Sequence, residues 1–260
     1  MSADTASPSA PCAPAARRTP RPRTPWVLMY HSVTEFTEAT EDPYGITVTP
    51  RTLERHLLWL RAKGLHGVSV SQLRRARAAG RGRGLVGLTF DDGYTDFTAH
   101  ALPLLRRYEC TATVFVLPGR LGGGNEWDPL GPRKSLLTAE GIRAVAAAGM
   151  EIGSHGLLHR DLTTVDDHVL GQEARVSRGR LHELVGAAPA GFCYPYGALD
   201  RRVLGAVREA GYAYACAIDP GRVGGPYAMP RTHISEADGA GRLGVKRLRH
   251  QARYLLRRAI

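Results

Sequence analysis

Leu88-Thr89-Phe90-Asp91-Asp92-Gly93-Tyr94 decides how this chain is read. The apolar run Leu85, Val86, Leu88 and Phe90 predicts a buried strand. It stops abruptly at two adjacent carboxylates and a glycine. Neighbouring acids at the mouth of a buried strand repel each other and lose hydration. A fold accepts them when something positive sits beside them, usually a metal ion. Alone, Asp-Asp-Gly also fits a solvated turn whose Asp caps the next helix. Parallel-barrel enzymes carry their chemistry at the C-terminal ends of strands, where this pair falls.

Other predicted strands end in reactive groups too. Residues 26–30 end in His31. Met150-Glu151-Ile152 runs into Gly153-Ser154-His155, and His155-Gly156-Leu157-Leu158-His159 spaces two imidazoles one helical turn apart. Phe192 to Tyr194 ends at Pro195, and Met229-Pro230-Arg231 ends in a cation. Between them lie predicted helices: one opened by Thr49-Pro50 and stopped by Gly64, then 96–108, 139–148 capped by Thr138, 166–185 and 199–209. Val68-Ser69-Val70 reads as a short strand, with Ser71 capping the helix after it. Tyr212 to Ala217 and Tyr227 to Met229 are further strands. Gly122 to Pro132 reads as a long loop, a plain connection in preference to a lid beside a site. Short strands alternating with helices predict an α/β parallel arrangement, and the strand count fits a barrel.

Of the 260 residues, 43% are hydrophobic and 23% charged, enough for one sizeable core. The net charge of +11 favours acidic partners, but no nucleic-acid motif accompanies it, and no nucleic-acid partner is expected. None of Cys12, Cys110, Cys193 and Cys216 forms a Cys-x-x-Cys pair, which argues against a cysteine zinc site or a disulfide framework. Residues 1–25, rich in Ser, Ala, Pro and Arg, read as a disordered tail. Residues 26–241 form the main domain, and 242–260 a basic amphipathic helix. That helix carries Lys246, Arg247, Arg249, Arg253, Arg257 and Arg258 beside Leu243, Leu248, Leu255 and Leu256. It predicts packing on the barrel or contact with an anionic membrane or glycopolymer. No secretory signal or membrane span is legible, so a cytoplasmic location is expected. Nothing points to an obligate protein partner.

Two histidines and a carboxylate from a second strand end make a three-ligand set that leaves a position open for water. Zinc suits it best, with iron, cobalt or nickel possible on chemical grounds. Asp91 and Asp92 cannot easily share one task. One can bind the metal while the other accepts a proton from the water. His31 is placed to protonate a leaving amine. Around Phe192 to Gly197, a backbone N–H could face an oxyanion, and rings could stack on a sugar.

Thr89 to Tyr94, Ser154-His155-Gly156-Leu157-Leu158-His159 and Pro195-Tyr196-Gly197 together resemble the first three motifs of the polysaccharide deacetylase family, the NodB homology domain of carbohydrate esterase family 4. The resemblance spans about residues 26–235. It implies a deformed, incomplete (β/α) barrel related to the TIM barrel. It also implies metal-dependent removal of acetyl groups from an N-acetylated carbohydrate. Asp91 would be the general base, Asp92, His155 and His159 the metal ligands, and the Tyr196 N–H the oxyanion donor. Tyr94, Tyr194 and Pro195 would contact substrate. Cys193 stands where the family's third motif usually has the arginine that orients the base, and Arg231 is the candidate replacement. No good C-terminal Leu-x-His is present, with Thr232-His233-Ile234 a weak rival. Met29-Tyr30-His31-Ser32-Val33 resembles the circularly permuted branch acting on surface polysaccharides, in which the first strand delivers the histidine.

His159-Arg160-Asp161-Leu162 mimics a kinase catalytic loop, but the required downstream Asn and Gly-rich loop are missing. An iron facial triad through Asp161 would leave Asp91-Asp92 unexplained. Two alternatives stay open: a non-catalytic carbohydrate-binding relative, favoured by Cys193, and a hydrolase of a non-sugar linear amide, disfavoured by the histidine pair.

Overall fold

Strands covered on both faces need near-continuous apolar sequence. Val27–Tyr30 (β1) meets that need, and Ser32–Val33 (β2), Thr47–Val48 (β3) and His66–Val68 (β4) follow it. Then come Leu85–Phe90 (β5), Thr113–Val116 (β6), Glu151–Ser154 (β7), Gly191–Cys193 (β8) and Tyr214–Ala217 (β9). Met229–Pro230 (β10) and Thr232–His233 (β11) complete them. The helices are Pro50–Ala62 (α1), Val70–Ala78 (α2), Leu102–Arg107 (α3), Ala139–Ala147 (α4), Asp167–Gly171 (α5), Ser177–Val185 (α6), Arg201–Glu209 (α7) and Ala240–Arg257 (α8). This computed structural model describes residues 25–35, 42–219 and 224–257. The tail read at 1–25 lies, but for Pro25, outside them.

The main sheet runs β10-β9-β8-β7-β6-β5-β1-β11, with every pair parallel. β10 and β11 are consecutive in the chain, separated by Arg231 alone. Residues 229–233 thus join β9 to β1 and nearly close the barrel. β4 pairs with the first half of β5, whereas β6 pairs with the second half; this deforms the barrel at its N-terminal end. The expected deformed α/β barrel is therefore present.

Alternate side chains fill the barrel or pack under the helices. Val27, Phe115, Cys193, Tyr214, Cys216 and Met229 share one cluster with Val70 and Leu73 of α2. Leu28, Phe90, Val114 and Val116 join the cluster that includes α1 residues Leu53, Leu57 and Leu60. Gly153 and Gly191 make room for the large inner rings. A Cβ there would come within 2.4 Å of Phe115 and 2.2 Å of Tyr214.

α2 lies across the N-terminal end of the barrel. Ser69 N and Val70 N donate to the hydroxyls of Thr111 and Thr113 at 3.0 and 2.9 Å, and Arg74 donates to Ala213 O. Glu151, first residue of β7, gathers four donors there: Ser71 N and Oγ, Thr113 Oγ1 and Tyr214 OH, at 2.5–3.0 Å.

Several boundaries differ from the sequence reading. Val70 begins α2 rather than ending a strand, because Ser69 and Gln72 form a reciprocal capping box; Ser69, not Ser71, is the cap. The helix expected over 96–108 starts with a π-helical stretch, Phe97–Ala101. Leu102 N bonds back to Phe97 O, and Pro103 has no N–H to restore the α pattern. A second π-helical stretch, Gln172–Val176, interrupts 166–185, where the Ser177 hydroxyl bonds Glu173 O and Ala174 O. The basic helix begins at Ala240 rather than 242.

Glu151→Ala leaves four donors without their acceptor at the closed end. We expect a loss of about 2–4 kcal/mol in folding free energy by urea denaturation, with the far-UV circular dichroism of the folded state unchanged.

Candidate functional site

Parallel strands bring their C-terminal ends to one rim. His31 follows β1, Asp91 follows β5, His155 follows β7, Tyr194 follows β8 and Arg231 follows β10. All five line a cleft of about 230 Å³, together with Asp92, His159 and Tyr196.

The tightest convergence is Asp92, His155 and His159. The Nε2 atoms of His155 and His159 lie 3.3 and 3.4 Å from Asp92 Oδ1. All three residues are buried. Asp92 and His159 reach these positions through left-handed backbone, at φ of 69° and 64°, and Gly93 continues the turn at 70°. His155 Nδ1 donates to Cys193 O at 2.8 Å, so in the neutral ring Nε2 carries the lone pair. In that neutral form the His155 Nε2 lone pair faces a carboxylate oxygen that has no hydrogen-bond partner among the described residues, with His159 Nε2 beside it. The groups need a positive charge between them, either a proton on His155 or a metal ion. One carboxylate and two imidazoles are a donor set that suits zinc and its neighbours. The residues fit a divalent metal.

Protonation follows the same geometry. Burial works against the Asp92 carboxylate, but the facing imidazoles hold it well below the usual range. Burial lowers the pKa of His159, as a ligand requires. Burial would also lower that of His155, but the Asp92 and Asp91 carboxylates act against it and raise the value above an ordinary histidine. Metal and proton therefore compete for His155.

Asp91 is held separately. Arg231 meets it with two parallel bonds, Nη1 to Oδ1 at 2.6 Å and Nη2 to Oδ2 at 2.7 Å. Nη1 also donates to Thr89 Oγ1 at 3.1 Å, and Nη2 to Cys193 Sγ at 3.0 Å. Both ions are buried. Burial pushes the Asp91 carboxyl up, but the guanidinium outweighs it and holds the value below the usual carboxylate range. Burial raises the Cys193 thiol, so it stays protonated and neutral between the two ions. An arginine at position 193 would crowd this space; a small thiol lets Arg231 reach across from the closing strand. His31 Nε2 lies 3.9 Å from Asp91 Oδ2. His233, the rival, lies behind it with ring centroids 6.3 Å apart, and does not line the cleft.

The loop between the two metal-facing histidines is not helical, contrary to the spacing argument. Gly156 (φ 81°) and His159 break any helix. Glu173 organises the loop instead: its Oε2 accepts from Leu157 N at 2.6 Å and Leu158 N at 3.1 Å. The carboxylate also sits where a Cβ on Gly156 would come within 2.8 Å.

The expected substrate contacts divide. Tyr194 lines the cleft, though its hydroxyl points to Tyr227 O. Tyr94 and Pro195 do not line it. Tyr94 is 1% exposed and donates to Asp128 at 3.3 Å from behind, because its ring packs with Leu117 and Leu136. Pro195 is buried beneath the turn that presents Tyr196 at φ 58°. Conversely, the loop read as a plain connection carries Trp127 and Asp128 into the cleft. Trp127 stacks on His159 with centroids 4.4 Å apart, and Arg120 covers Trp127. Tyr44, Ile46 and Ile218 also line the cleft unforeseen. A tryptophan beside an acid within a Gly- and Pro-rich loop was the one available signal; the other three carry none.

Comparison with known proteins agrees with this geometry. The model of the polysaccharide deacetylase family matches residues 78–215. The Bacillus subtilis (strain 168) protein YxkH is 26% identical over 223 residues, covering 84% of this chain and 74% of its own. A chitin deacetylase of Colletotrichum lindemuthianum is 31% identical over 129 residues, covering 50% of this chain and 48% of its own; the match thus spans about half of that enzyme. A Streptococcus pyogenes deacetylase solved with acetate superposes with a TM-score of 0.73 at 22% identity, covering 86% of this chain and 97% of that one. This chain belongs to the polysaccharide deacetylase family. It is a hydrolase of the deacetylase class.

Glu173→Ala leaves the Leu157 and Leu158 N–H groups, both half-buried, without their acceptor and loosens the loop between His155 and His159. We expect zinc affinity to fall about 10–100-fold in chelator competition. In the wild type, affinity should rise with pH as His155 gives up its proton.

Proposed function

We propose that this chain is a divalent-metal-dependent hydrolase that removes the acetyl group from an N-acetylated amino sugar and releases acetate. The observation that carries this reading is the division of labour between adjacent acids. Asp92 faces two imidazoles, whereas Asp91 faces Arg231. A divalent ion held by Asp92, His155 and His159, most suitably zinc, would supply Lewis acidity and lower the pKa of water.

The chain's own groups account for the proton traffic. Asp91, kept ionised by Arg231, accepts a proton from attacking water. His31, on the same side of the cleft, delivers one to the departing amine. Water's hydroxyl ends on the acetyl carbon, the C–N bond breaks, and the sugar nitrogen leaves as an amine. The Tyr196 N–H, at the rim, is the candidate donor to the oxyanion. Tyr196, exposed at the rim, offers a ring surface for a sugar. The names of relatives that act on chitin and on poly-β-1,6-N-acetyl-D-glucosamine support a glycan as substrate. The resemblance of Met29 to Val33 to the permuted branch supports a surface polysaccharide. A non-catalytic relative is disfavoured because Arg231 occupies the place left by Cys193. A metal-free hydrolase of linear amides is disfavoured by the intact imidazole pair.

Acetate release from chitooligosaccharides, peptidoglycan fragments and small amino sugars tests the proposal. Asp91→Asn should lower kcat about 10³-fold while zinc binding persists; Asp92→Asn should abolish zinc binding. No acetate from any of these with zinc, iron, cobalt or nickel supplied would overturn it. Arg231→Met removes the cation that depresses the Asp91 pKa. Less base is then ionised at a given pH, so the acidic limb of the kcat profile should move to higher pH.

A further inference from the structure

Among its described side chains, helix α8 packs through one side. Leu243 is fully buried, Arg247 covers the Trp26 ring, and His250 Nε2 bonds Pro25 O at 2.9 Å. On the opposite side Val245, Leu248 and Ala252 follow helical spacing and form one stripe. Leu248 is 68% exposed and Val245 48%, in positions where a solvated helix normally carries polar groups. Arg242, Arg249 and Arg253 flank this stripe, all exposed. The helix holds six Arg or Lys residues and no Asp or Glu.

We propose that this outer face of α8 docks on an anionic lipid bilayer, lying in the interface with Val245 and Leu248 inserted and the arginines on the headgroups. Charge complementarity selects an acidic surface. The apolar stripe selects a bilayer over a soluble polyanion, which would leave Leu248 and Val245 without a partner. No helix among the described residues is long and apolar enough to cross a membrane, so the contact is peripheral. Beneath Arg249 and Arg253 lies a groove of about 390 Å³, which shares Ile218 and Arg231 with the cleft.

Flotation of the full chain tests this with two vesicle types: phosphatidylcholine alone, and phosphatidylcholine with about one-third phosphatidylglycerol. Binding is expected only to the second, and should weaken at least tenfold between low and about 0.5 M salt. Arg242→Glu with Arg249→Glu should lower it at least tenfold. Val245→Ser with Leu248→Ser should lower it about tenfold at unchanged charge. These four side chains are exposed, and unchanged melting temperatures would show that the variants fold. No binding to the anionic vesicles overturns the proposal. So does binding that survives the serine pair, which would mark a site for polyanions such as hyaluronan. Acetate release plays no part in the readout, so the result stands apart from the proposed reaction.

Discussion

The paired bonds between Arg231 and Asp91 connect closure of the barrel to its chemistry. Arg231 is the single residue between β10 and β11, and its strand joins β9 to β1. Its guanidinium points inward and meets the carboxylate at the end of β5. A buried ion pair adds little net stability, because desolvation offsets attraction, but removing one partner typically costs about 3–5 kcal/mol. The strand that shuts the sheet therefore carries the charge that keeps the proposed base ionised. Misplacing either would disturb the other.

This coupling also explains the tolerance of cysteine at position 193. A protonated thiol is small, accepts from Nη2 and contacts Asp91. It fills the gap between the ions without adding a charge. The cation beside the carboxylate comes from the closing strand rather than from the end of β8, and its effect on the carboxylate is local. Side-chain reach, rather than position in a motif, decides which arginine does this.

Much of the cleft was legible because parallel strands place consecutive strand ends together. Asp91, Asp92, His155, His31 and Arg231 each follow a recognisable apolar run, so a correct strand list brings them to one rim. His159 was found through its spacing from His155, although the spacing argument named the wrong backbone: glycine and left-handed turns, rather than a helix, set the second ring. Residues that reach the cleft from loops outside the recognised motifs were hard to read. Trp127 and Asp128 depend on how a long connection folds back, and Tyr44 and Ile46 on where the segment beside β3 lies. Tyr94 misled for the opposite reason. It sits within a matching motif, yet packing against Leu117 and Leu136 buries its ring beneath the cleft, where only its hydroxyl meets Asp128 from behind.

Plugging of the far end by α2 has a kinetic consequence. Phe115 and Tyr214 fill the interior below the Arg231 layer, and Glu151 ties down the base. The barrel is a blind pocket, not a tube. Under the proposed reaction, acetate freed at its bottom has no rear exit and must pass the glycan still lying across the mouth. Escape of this small anion is then tied to lifting or sliding of the sugar chain, and its retention would slow the next turnover on the same strand.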